Sequence, residues 1–67
     1  MPSKFFARVH GDTFTKDLED RSGATALKLA KADAQYAVKD GVWVQDLQGK
    51  PILYPPTRVV MVEVIEK

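Results

Sequence analysis

The chain predicts an α+β domain, an antiparallel sheet of about five strands in the order β-β-α-β-β-β with one alanine-rich helix packed on one face. Three observations carry that class. Two β-prone stretches flank a glycine turn near the start, one uninterrupted helix-forming run fills the middle, and three β-prone runs punctuated by glycine and proline follow it. A partly open small barrel with an inserted helix is the alternative, because the last strand is apolar on both sides and one helix covers only one face.

The first two strands are Lys4–His10 and Thr13–Leu18, joined by Gly11-Asp12. Glycine leading a two-residue loop suits a type II′ turn, which pairs His10 with Thr13, Val9 with Phe14, Ala7 with Lys16 and Phe5 with Leu18. Phe5, Val9, Phe14 and Leu18 then share one face. Phe6, Arg8 and His10 share the other with Thr13, Thr15 and Asp17.

Ser22-Gly23 precedes the helix, Ala24–Lys39, rich in Ala, Leu, Lys and Gln, and Asp40-Gly41 stops it. At about 100° per residue, Ala26, Leu27, Ala30, Ala34, Ala37 and Val38 form a stripe of mostly small side chains facing the sheet. Lys28, Lys31, Gln35 and Lys39 gather on the opposing arc as a solvated face. Leu29, Ala32 and Tyr36 form a second apolar patch that needs its own cover, which makes them the candidate oligomer interface.

Val42–Gln45 and Pro51–Tyr54 read as a second hairpin, with Gly49 in the left-handed position of a three-residue loop flanked by Asp46 and Lys50. Val44 pairs with Ile52 and Val42 with Tyr54 on one face, and Trp43 with Leu53 on the other. Pro51 cannot donate to a ladder, so this strand belongs at an edge. After Pro55-Pro56, the run Arg58–Ile65 sets Val60, Val62 and Val64 on one side and Val59, Met61 and Ile65 on the other. A strand apolar on both sides is expected at the centre of a sheet.

Composition bounds the rest. Sixty-seven residues carry ten Lys plus Arg against nine Asp plus Glu, with one His, no Cys, 45% apolar and 28% charged residues. That describes one small, nearly neutral domain spanning residues 1–67, neither disordered nor fibrous. A chain of this size buries only about 60% of its unfolded surface, and neither a disulfide nor a metal cluster is available to staple it. A homo-oligomer, in the first place a dimer, is therefore expected. The absence of cysteine fits a reducing compartment, and Met1–His10 holds no secretory or membrane-spanning stretch, so the expected location is cytoplasmic.

An enzyme is not expected. There is no Cys, only Ser3 and Ser22, and a single His whose nearest carboxylate is Asp12 across a turn. Asp17, Glu19 and Asp20 lack the spacing of a calcium loop, and the four glycines stand one per turn instead of clustering as a phosphate cradle does. Zinc needs about four ligands where one His is present. No metal and no cofactor are expected.

The expected function is a small non-enzymatic interaction module, a regulator or inhibitor of the kind a virus or mobile element encodes. It would bind another protein through the helix-free sheet face or an exposed strand edge. The candidate binding residues are Phe6, Arg8, Trp43, Leu53, Tyr54, Lys50 and Arg58, since Trp and Arg dominate binding hot spots. The same residues define the first alternative, a nucleic-acid surface in which sheet aromatics stack bases and basic groups hold phosphates. The net charge of +1 weighs against it. A second alternative is a nucleotide-sized ligand enclosed at an oligomer interface by Tyr36 and Tyr54.

Overall fold

The computed structural model describes residues 3–67, which run β1 (Lys4–Gly11), β2 (Thr15–Asp17), β3 (Arg21–Ser22), α1 (Ala26–Asp40), β4 (Val42–Gln45), β5 (Pro51–Tyr54), a 3₁₀ turn (Pro56–Arg58) and β6 (Val59–Glu66). The α+β class and the order of the main elements are as the sequence predicts, with the short β3 added ahead of the helix. The strands form two antiparallel sheets instead of one. β2, β3 and β6 all pair with β1, while β4 and β5 pair only with each other, and the sheet does not close into a barrel.

The first hairpin turns one residue later than expected. Arg8 faces Asp17, Val9 faces Lys16 and His10 faces Thr15, and the Gly11 amide donates to the Phe14 carbonyl at 2.8 Å, so Asp12-Thr13 form the loop. Leu18 bonds to Ala7, and Phe5 pairs with Arg21 of β3. Gly11 is not among the residues with positive φ; a Cβ there would run into the Phe14 ring, so the glycine makes room for an aromatic. Pairing that slips by two residues leaves every side chain on its expected face.

β6 is an edge strand, not the central one. It pairs with β1 from Phe5–Glu66 to His10–Met61, with an irregularity at Gly11, and nothing among the described residues pairs with its other side. The central strand is β1, whose Ala7 and Val9 are fully buried. Local propensity reports that both sides of β6 are apolar, but strand order is set by which partners arrive from distant parts of the chain.

α1 packs across β1 and β6 through Ala26, Ala30 and Ala37, whose small side chains let the helix approach the sheet closely. The expected buried stripe is narrower than the sequence suggests. Leu27 and Val38, at its margin, are exposed, as is Leu29, and Ala32 is half-buried. Gly41 ends the helix with φ 85° and ψ −171°, a region essentially restricted to glycine, and its amide bonds back to Ala37.

The second hairpin matches its expected register pair for pair, from Val42–Tyr54 to Gln45–Pro51. Asp46 Oδ1 accepts from the amides of Gln48 and Lys50, and Gly49 adopts φ 80°. Val42, Val44 and Tyr54 pack against Val9 and Ala37, together with Phe14, Leu18, Val59 and Val62. The resulting core is thin. Among the described residues, four of the seven buried apolar ones are alanines, while ten large apolar side chains remain exposed. The radius of gyration of 12.2 Å exceeds the roughly 11 Å of a compact chain of this length.

Candidate functional site

The sheet face opposite α1 is largely covered by ion pairs, not open. Phe6, expected there as a binding aromatic, is only 6% exposed because the Arg8 guanidinium and the Lys67 ammonium lie over its ring, at 5.3 and 5.8 Å from the centroid. Both cations are fixed by carboxylates. Arg8 makes two hydrogen bonds to Asp17, at 2.7 and 3.2 Å, and Lys67 reaches Asp20 at 2.6 Å. His10 pairs with Glu63 at 2.8 Å on the same face. Most of the helix-free face is thus a lid of ion pairs over one phenylalanine, built by Phe6 and Arg8, with Met61 left exposed beside His10.

Arg58 is engaged in a similar way. Its Nε and Nη2 donate to the two Asp12 oxygens at 2.8 and 3.0 Å, and Nη2 also reaches the Thr13 hydroxyl. These hydrogen bonds hold the Asp12 carboxyl below its ordinary value and raise that of the guanidinium, as Arg8 and Asp17 do for one another. Tyr54, half-buried, stacks on Phe14 with centroids 4.0 Å apart and has Arg58 over its ring. Of the three basic residues expected to hold phosphates, only Lys50 has no carboxylate partner among the described residues. It stands at the hairpin loop.

Trp43 and Leu53 remain as expected, facing each other across β4 and β5 on the side turned away from Val44 and Ile52. Trp43 is 61% exposed, and Leu53 is also exposed. Trp43 shares an open groove of about 350 Å³ with Tyr36, which is 67% exposed on α1. Leu18, Ala37 and Val42 line the floor. Glu19, Arg21 and Asp33 supply the polar wall, where Arg21 makes a two-pronged bond to Asp33 at 2.9 and 3.0 Å.

The structure therefore joins one residue expected for binding, Trp43, to one expected for self-association, Tyr36. It places Phe6, Arg8, Tyr54 and Arg58 in packing roles. Leu18, Glu19, Arg21 and Asp33 were not anticipated as groove residues. The signal available for them was the acidic and basic cluster after the first hairpin, which alone looks like a solvated helix approach. Among the described residues no group of three or more His, Cys, Asp or Glu could hold a metal ion, and no helix is long and apolar enough to cross a membrane. Comparison with protein-family models, with curated protein sequences and with solved structures gives no match.

Proposed function

We propose that the protein is a non-enzymatic interaction module that binds another protein in the groove between α1 and the β4–β5 hairpin. Trp43 and Tyr36 are the anchors, with Leu53 on the adjoining surface. A reducing compartment such as the cytoplasm suits the cysteine-free chain. The observation that carries this reading is the pairing of two large exposed aromatics on one apolar-floored groove. Tyr and Trp contribute large contact area with little conformational entropy to lose, and they are enriched where interfaces are strongest. The fitting partner inserts an apolar side chain between the two rings and sets a basic group beside the exposed Glu19 carboxylate.

Tagged protein recovered from its native cells at low salt, with and without nuclease, tests the proposal. A discrete protein should survive nuclease and be lost from Trp43→Ala. Removing such an anchor costs about 2 kcal/mol or more, a roughly 30-fold weaker complex. Retention unchanged by Trp43→Ala, or nuclease-sensitive absorbance at 260 nm in place of a protein, would overturn it.

A further inference from the structure

We infer that β6 is a self-recognition edge, on which a second copy of the chain pairs antiparallel about a two-fold axis passing near Val62, extending the four-stranded sheet into an eight-stranded one. The inference goes beyond the groove described above and does not depend on it. It starts from an imbalance of surface. The chain exposes 4887 Å², whereas a compact monomer of 7.5 kDa exposes about 4,250 Å². The excess, about 600 Å², approaches the roughly 800 Å² that each partner contributes to a stable dimer.

The edge is blunted only at its start, where the register shift at Gly11 leaves Val60 without a β1 partner, and by the single charge of Glu63; from Met61 on the ladder is regular. Lys67 donates to Lys4 at 2.8 Å, and alternate pairs along an antiparallel ladder bond in the same way. In that alternation Met61, Glu63 and Ile65 point their backbone groups at β1, and Val62, Val64 and Glu66 turn theirs outward. No proline or lysine interrupts Val59–Ile65, although natural edge strands are commonly blunted by such residues. The opposite edge of the sheet is split between strands of three and two residues, too short to receive β6. Closed two-fold pairing is therefore favoured over an open head-to-tail chain.

The helix positions agree. Strands lie about 4.8 Å apart, so α1, straddling β1 and β6, stands about 5 Å from an axis midway between β6 and its copy. The two helices would then run about 10 Å apart, which is helix packing distance. Asp33 turns toward Arg21 at the β3 edge, so the flank carrying Leu27, Ala34 and Val38 turns toward β6. Val38 (56% exposed), next to Ala37 at the level of Val9 and Val62, meets no cover within one chain, and it fills this seam beside the axis. Val60, at 71% the most exposed valine of β6, comes opposite Val64 of the copy. Charges match as well. The two-fold sets Glu66, which has no ion partner among the described residues, near the Arg58 end of the copy, and Arg58 Nη1 is not used on Asp12.

Sedimentation equilibrium of the full chain from about 1 to 100 μM tests this. Wild type and Trp43→Ala should both reach twice the chain mass. Val64→Pro removes an amide that bonds to nothing in the single chain, and Val38→Glu places like charges across the seam beside the axis. Each should weaken dimerisation at least about 100-fold while far-UV circular dichroism keeps the helix signal. The seam variant decides the matter if the proline variant fails to fold. A wild type that stays at monomer mass at 100 μM, or a dimer that survives the seam variant, would overturn the inference. Loss of the dimer with Trp43→Ala would move the interface to the groove and overturn it too.

Discussion

Replacing Gly41 by alanine tests how tightly the end of α1 is locked to the second hairpin. The residue has φ 85° and ψ −171°, where a side chain costs about 1–3 kcal/mol. A Cβ there would also strike the Tyr54 carbonyl oxygen and press on Pro55 Cα at 3.1 Å. Both are backbone atoms that cannot swing aside. Relief requires the end of β5 to shift, which disturbs the Val42–Tyr54 pair and the stack of Tyr54 on Phe14. Together these give about 3 kcal/mol or more, out of the roughly 3–10 kcal/mol that stabilises a domain of this size.

At about 4 °C or more per kcal/mol, Tm should fall by at least about 12 °C. Thermal melts followed by far-UV circular dichroism, at one fixed protein concentration, measure it. Gly49→Ala is the control, because Gly49 also has positive φ (80°) but nothing lies within 4 Å of a Cβ built on it. It should lose only about 1–2 kcal/mol. If the two variants melt within about 2 °C of one another, the close approach of Gly41 to Tyr54 is not what constrains that position, and the reasoning fails.

Two further outcomes follow from the core and the ion pairs. Val9→Ala, at the most enclosed large side chain, should cost about 2 kcal/mol in urea unfolding from lost burial and the cavity left behind, whereas Leu47→Ala at the hairpin tip should stay within about 0.5 kcal/mol. Equal effects would mean that Val9 is not the centre of the core. Asp12 and Asp17 titrate below their ordinary value in the fold, so on acidification the unfolded chain takes up protons first. The stability they contribute is full above the unfolded carboxyl value, about pH 4, and is lost as pH falls through the lower folded values. Asp12→Asn/Asp17→Asn should flatten the drop in Tm on acidification, and an unchanged pH profile would contradict the pairing.

Local chemistry made the second hairpin fully legible. Asp46, Gly49 and the alternation on either side set the register within thirteen residues, so no distant contact is needed to specify it. The helix and its glycine stop were legible for the same reason. The first hairpin was misplaced by one turn residue, because Gly11 reads as a conformational device when it is a steric one. What the glycine spares is the Phe14 ring, which in turn carries Tyr54 from forty residues away.

The candidate site divides along the same line. That Trp43 and Leu53 share a face follows from strand alternation. That Trp43 meets Tyr36 over Leu18 and Arg21 depends on how α1 lies on the sheet.

By itself the sequence determined the class, the helix, the faces of the five strands it revealed and the shared face of Trp43 and Leu53, since each follows from the periodicity of neighbouring residues. The tertiary structure alone decided that β1, not β6, is central, that Lys67 and Arg8 close over Phe6, and that Arg8 and Arg58 are bound to carboxylates. Those facts join residues as much as sixty positions apart. Strand order and ion pairing arise from which segments meet when the chain collapses, and periodicity along the chain carries no record of that choice.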